Sequence, residues 1–402
     1  MKKLLILAAM ASAALVSCIK NEPALSVTDR QEITFAPPVV GVTTKSVDLV
    51  TTTNIDGSFS VYGYYHSGNY AGFDDEGTYT YMENVEVTKD DDFYSAENKT
   101  YASWITDDKN DYYWPKTGKM TFVAYYPSLG NTTDQTSDNY VNHTEAGIQF
   151  KNYVVADNAD VDLMFSDRAY NMVKSDEKLN SSQYYGVELV FKHALSAIRF
   201  KFKAASELVD DNGGPKYTFV VEEVKLLNVH SKGDFNQGLD ESDNANATTG
   251  EAATEDWSTS TAREYTAYTK GNSEGLSINS ETLVESYDVA DNKTNGANLI
   301  LLPQSLNHDG TDGNVTVQVT YKLRHNKMVE GKWIEGNTVQ AELSTNNVDN
   351  WLRGYIYTYS LTLSLDKIEF APSVSEWVDF DSVSSTADVT EPIDVTVPDQ
   401  AS

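Results

Sequence analysis

The sequence predicts an all-β fold built from two-layer packed sheets with a few short helices. Three observations carry this expectation. Apolar and polar residues alternate with period two in several runs. Tyrosine, of which there are 25, and the β-branched residues suit a pleated, half-buried surface. Acidic and Gly- or Asn-rich segments punctuate the runs. After Glu188-Leu189-Val190-Phe191, residues 198–203 alternate Ile198, Phe200 and Phe202 with Arg199, Lys201 and Lys203. The segments NVTVQVTYKL (314–323) and YIYTYSLTLSL (355–365) repeat that pattern. Such runs turn one face to a core and the other to water. Segments 90–92, 107–111, 210–214 and 308–314 read as turns. Two polar stretches, 130–144 and 231–256, read as surface excursions. Helical periodicity is scarce, with one short candidate around 95–105. The polar segment 176–183 is the best break between two domains, 32–180 and 181–377.

The amino terminus carries a different signal. Lys2 and Lys3 precede an apolar run, residues 4–16, that ends in small residues and Cys18, the single cysteine of the 402-residue chain. Thirteen residues are too few to span roughly 30 Å of hydrocarbon as a helix, so residues 1–17 read as a signal peptide. A lone cysteine can be a nucleophile, an inert core thiol or a point of lipid attachment. Leu15-Val16-Ser17-Cys18 resembles the bacterial lipobox, whose cysteine is acylated and becomes the first mature residue. An ordinary signal peptide that happens to end near a cysteine is the alternative. Residues 18–31 would then link a lipid anchor in the outer membrane to the first domain. Several acyl chains, at about 0.8 kcal/mol per buried methylene, hold a protein stably.

Charge excludes one class of partner. The formal net charge is −30, and removing Lys2 and Lys3 makes it −32. Nucleic-acid binding needs clustered Lys and Arg, and none is present. Catalytic and cofactor motifs are also missing. The six histidines stand at no metal-ligand spacing. His193 and Ser196 could form a nucleophile pair, with a packed turn histidine as the plainer reading. The acidic loops match no calcium-loop pattern. Tyr112 and Trp114 could stack on sugars or simply fill a core.

Several motifs, in order, resemble the fimbrillin-like family, the type V pilins and their relatives of Bacteroidia. These are Tyr113-Trp114-Pro115 followed by MTFVAYYP (120–127), DLMF (162–165), FKHALS (191–196), LLPQ (301–304), and Trp351 with Gly354, Tyr357 and Tyr359, then Ile368 and Trp377. The resemblance implies two tandem transthyretin-like β-sandwich domains. It also implies a fimbrial (pilus) subunit or accessory pilin, exported as a lipoprotein and assembled head-to-tail with other pilin subunits for surface adhesion. In that scheme a protease cuts behind the first strand, the strand leaves, and a neighbour's carboxy-terminal strand takes its place. Here the first strand would hold Ile33 and Phe35. Lys45 is the candidate cut site. Arg30, the alternative, precedes the strand, so cutting there would leave the strand behind. The family cut usually falls at arginine, and this chain offers lysine.

A donor strand is legible at the other end. Residues 378–402 carry six acids and no base. Within them Ile393, Val395 and Val397 alternate with Asp394 and Thr396 between Pro392 and Pro398. Burying three such side chains contributes about 5–9 kcal/mol before ordering costs. The competing reading folds this strand onto its own domain. A non-polymerising surface lipoprotein that binds glycans is the other functional reading. A host glycan or protein is the further partner that a surface role implies. Cys18→Ala is expected to release the protein from membranes, read by fractionation and by loss of fatty-acid labelling; undiminished membrane retention contradicts the lipobox assignment.

Overall fold

The computed structural model describes residues 32–36, 38–40, 50–51, 57–70, 72, 77–90, 103–106, 112–130, 134–144, 147–174, 186–208, 214–237, 256–270, 274–280, 284–285, 299–308, 312–327, 332–345, 347–365 and 368–376. These residues are almost entirely β. The strands are β1 Val39–Val40, β2 Val50–Thr51, β3 Ser58–His66, β4 Thr78–Asp90, β5 Ser103–Thr106, β6 Lys119–Tyr126, β7 Tyr140–Thr144, β8 Gly147–Val154, β9 Met164–Ser166, β10 Ala169–Met172, β11 Val190–His193 and β12 Ser196–Ala204. They continue with β13 Tyr217–Asn236, β14 Asp256–Thr269, β15 Leu276–Ile278, β16 Val284–Glu285, β17 Leu299–Leu301, β18 Gln304–Ser305, β19 Thr316–His325, β20 Ile334–Glu342, β21 Asn350–Trp351, β22 Tyr355–Leu363 and β23 Ile368–Glu376. Among the described residues the one helical element is a 3-10 turn, Ser206–Leu208. No helix among them is long and apolar enough to cross a membrane.

A nine-stranded sheet runs β2-β1-β11-β9-β6-β3-β4-β5, with β10 on β6. Its central strands, β3 and β6, are buried on both faces. Buried strands of this kind carry near-continuous apolar runs rather than strict alternation, as MTFVAYY in β6 does. Phe59, Val61, Met120, Phe122 and Ala124 face a smaller core. Tyr62, Tyr64, Val123 and Tyr125 face a larger core shared with the other sheets.

The larger core fills the space between a seven-stranded sheet and a five-stranded sheet. The first has the order β20-β19-β13-β8-β7, with β14 and β15 on β13. The second has the order β16-β12-β22-β23, with β17 on β12. The runs read as alternating behave so: β19 buries every second residue through Leu323, and β22 does so from Tyr357 onward. Strand β13 spans 20 residues, about 65 Å at strand rise. It pairs β19 through Tyr217–Leu227 and β14 through Glu223–Asn236. Aromatic rings tie the sheets together. Phe165 of β9 lies 5.0 Å from Phe235 of β13, and Tyr125 of β6 lies 5.7 Å from Phe150 of β8.

Several expectations need correction. The sheets do not divide at 180/181. Strand β8 pairs with β13 (Gln149 with Asn236), and β11 pairs with β9 (Phe191 with Ser166) and with β1. Composition at 176–183 marks a polar segment but carries no information about which sheet the flanking strands join. The stretch 130–144, read as a surface excursion, ends in β7, where Val141 and His143 are buried. Its asparagines and threonines mask the alternation. Gly147, at φ +104°, closes the turn into β8. Residues 231–236 of the second polar stretch complete β13, and Asp256 opens β14. Of the helix expected around 95–105, residues 103–105 belong to β5 and the remainder lies outside the described residues.

Phe165→Ala is expected to destabilise the chain by about 3–5 kcal/mol, because its fully buried ring joins two sheets. Ile334→Ala, on the exposed strand β20, should change stability by less than about 0.5 kcal/mol. Denaturant midpoints check both, and equal effects would refute the assignment of the joining contact.

Candidate functional site

Residues 32–36 occupy a position that strand pairing alone does not reveal. The Ile33 amide donates to the Tyr112 carbonyl at 2.7 Å, and the Phe35 amide to the Trp104 carbonyl at 2.9 Å. Trp104 returns a bond from its amide to the Phe35 carbonyl at 3.2 Å. On the opposite side, the Ala36 amide donates to the Val187 carbonyl at 2.8 Å, and the Val187 amide to the Thr34 carbonyl at 2.7 Å. The segment is too short to register as a regular strand, yet it is hydrogen-bonded along both edges. It links the β4–β5 margin of the nine-stranded sheet to the residues that lead into β11. Beyond it, Val39 and Val40 pair parallel to Val190 and Phe191.

The side chains lock the same segment. Ile33, at 2% exposure, and Phe35, at 0%, point into the smaller core with Val40. The Phe35 ring meets Phe59 and Phe122 edge-on, with centroids 5.8 and 5.6 Å away and planes near 90°. Behind it Phe59 packs on Trp104 and Phe191 at 5.3 and 5.6 Å. Edge-to-face pairs of this kind contribute beyond area burial. Gly186 makes the approach possible. Its φ is +111°, and a Cβ there would sit 2.5 Å from the Thr34 carbonyl oxygen. Only glycine allows the two backbones to lie this close.

The other expected site residues fall in two groups. Cys18, Arg30, Lys45, Ile393, Val395 and Val397, with Trp377, lie outside the described residues. His193 and Ser196 are both buried, and Ser196 Oγ and His193 Nδ1 bond to other groups rather than to each other. Ser196 Oγ donates to the Leu352 carbonyl at 2.8 Å, and His193 Nδ1 lies 2.8 Å from Asp162 Oδ2. Burial raises the Asp162 carboxyl above its usual range, and the neighbouring His193 opposes the shift. Tyr112 and Trp114 are partly buried against the smaller core, with Trp114 edge-on to Phe122 at 5.9 Å. Both pack against the core that Ile33 and Phe35 enter, and the Tyr112 carbonyl also accepts from the Ile33 amide. Among the described residues no cluster of three or more His, Cys, Asp or Glu could hold a metal ion.

The motifs read from the sequence also act as fasteners. Gln304 accepts from the His230 amide and donates to the His230 and Leu302 carbonyls. Trp351 Nε1 donates to Tyr359 Oη at 2.9 Å. Gly354, at φ +74°, donates from its amide to the Leu195 carbonyl. The family model for fimbrillin-like proteins matches residues 50–377. The chain belongs to the fimbrillin-like family. The opening segment of this fimbrillin-like chain lies ahead of the matched span. Similar solved structures include a candidate cell adhesion protein from Bacteroides uniformis, 19% identical, covering 88% of this chain and 99% of that one at TM-score 0.49. A fimbrial protein from Bacteroides vulgatus is 20% identical, with 86% and 99% covered at TM-score 0.49. The fimbrial anchor protein Mfa2 from Porphyromonas gingivalis is 12% identical, with 87% and 98% covered at TM-score 0.31. Among curated proteins, none matches the chain.

Gly186→Ala is expected to loosen residues 32–36 selectively. Amide exchange at Ile33, Phe35 and Ala36 should accelerate at least tenfold, while β13 and β19 keep their protection. Unchanged exchange at those three amides would show that the close approach is dispensable.

Proposed function

We propose that this chain is a fimbrial subunit, exported as a lipoprotein through Cys18 and assembled by strand exchange. Membership of the fimbrillin-like family supports the fimbrial role. The observation that carries the exchange reading is the double-edged pairing of residues 32–36. The segment is held by five backbone hydrogen bonds and by the side chains of Ile33 and Phe35. If it departs, two rows of backbone groups lose their partners at once. An apolar trench floored by Phe59, Trp104, Phe122 and Phe191 opens to water. Unpaired backbone and exposed apolar surface are both costly, so the opened subunit binds an extended strand that restores both. Strand addition works in this way, with backbone bonds giving affinity and side-chain pockets giving specificity.

Cutting at Lys45 would free the segment, because residues 41–49 connect its far end to β2. Cutting at Arg30 would leave it in place. The donor is the alternating run around Ile393, Val395 and Val397 at the end of the acidic tail. Each contact of this kind is head-to-tail and does not close, so it propagates a filament or links one subunit to the next. The partners are other pilin subunits, and the location is the fimbrium at the cell surface, tethered to the outer membrane.

Trypsin-limited digestion of the folded mature chain is expected to clip after Lys45 and to yield higher-order species in the presence of subunits with intact tails. Removing residues 392–402 should abolish donation while leaving the melting temperature of the monomer within about 2 °C. A monomer that is clipped yet never associates with any subunit contradicts the exchange reading. A large loss of monomer stability on truncation would assign the tail to its own fold.

A further inference from the structure

The pocket that Phe35 fills says which strand can replace it. Its ring is fully buried and held edge-on by Phe59 and Phe122. Trp104 and Phe191 brace Phe59, and Trp114 braces Phe122. A cavity walled by two aromatic rings that three more rings brace from behind does not shrink to fit a smaller guest, because close-packed interiors relax only partially. The backbone on the other side is fixed as well: Gly186 lies against the Thr34 carbonyl, so the incoming strand must follow the path of residues 33–36.

The chain's own distal strand does not meet this requirement. Paired as a strand, residues 392–398 would put Ile393, Val395 and Val397 on one face and Asp394 and Thr396 on the other. In either strand direction, and in every register that turns the apolar face inward, only isoleucine or valine reaches the position of Phe35. The aromatic residues after β23 are Trp377 and Phe380, one and four residues past Glu376, and neither can extend more than about 14 Å from the end of that strand.

We propose that the aromatic pocket of Phe35 is a specificity determinant, and that the groove of this subunit accepts the strand of a different chain carrying an aromatic residue at that position. The tail of this subunit correspondingly serves a groove whose pocket is sized for an aliphatic side chain. The subunit then joins unlike neighbours rather than repeating copies of itself. This rests on the strand-exchange reading above and names the chemistry of the partner strand.

The test uses the whole mature chain with a specific protease site inserted within residues 41–49, folded first and cut afterwards. Peptides are offered in excess, and displacement of the amino-terminal fragment is read by mass spectrometry and competition. The peptides are residues 30–40, the same peptide with Phe35→Val, residues 388–402, the same with Val395→Phe, and residues 374–388 containing Phe380. The 30–40 peptide and the Val395→Phe peptide are expected to bind about 10- to 100-fold tighter than the Phe35→Val peptide and the native tail. Equal affinity of native and Val395→Phe tails, while the 30–40 peptide binds, overturns the pocket proposal alone. Binding of residues 374–388 as tight as residues 30–40 overturns the unlike-neighbour conclusion. Failure of every peptide, including 30–40, overturns strand exchange itself and the pocket proposal with it.

Discussion

The smaller core depends on five residues that belong to no regular strand. Residues 32–36 are hydrogen-bonded to the Trp104–Tyr112 side and to the Val187 side at once, and Phe35 sets its ring between Phe59 and Phe122. Most edge strands are paired on one side and are dispensable to the sheet beyond them. This segment is different because it satisfies two margins and plugs the core between them. Its removal exposes a groove, not merely an edge. Under the proposed strand exchange, the same segment closes the monomer and, on leaving, opens a groove for a partner strand.

The larger core has the opposite character. Strand β13 runs through its sheet from Tyr217 to Asn236, and the rings of Phe150, Phe165 and Phe235 join that sheet to the nine-stranded one. Among the described residues, that junction is made by the regular strands β8, β9 and β13. The motifs that mark the family concentrate on such permanent fasteners: Gln304 bridging to His230, Trp351 bonding Tyr359, and Gly354 meeting Leu195. A division of labour follows. In the proposed exchange the scaffold stays fixed while the small trench around Phe35 is opened and refilled.

Much of this was legible in the sequence because strand alternation is a local property. The runs at 198–203, 314–323 and 355–365 declare their buried faces residue by residue, and β12, β19 and β22 follow them. The importance of Ile33 and Phe35 was legible only through the family resemblance, since EITF is an unremarkable tetrapeptide. What was not legible is long-range. No local pattern says that β8 crosses to pair with β13, or that Val187 returns to the opening segment. Strand β7 was hidden for a compositional reason: its inward residues are Val141 and a histidine bonded to Tyr64, so the alternation is polar. Gly186 was equally silent, because its role is set by the Thr34 backbone some 150 residues away in sequence.

The central claim is that residues 32–40 are a removable plug in a scaffold that otherwise stays intact. The most direct measurement is the amino-terminal sequence of this chain recovered from filaments sheared off the producing cells. The account predicts a chain that begins at Ser46, without Ile33 and Phe35. A chain built into filaments that still begins at Cys18 and carries the opening segment in its own groove would contradict it.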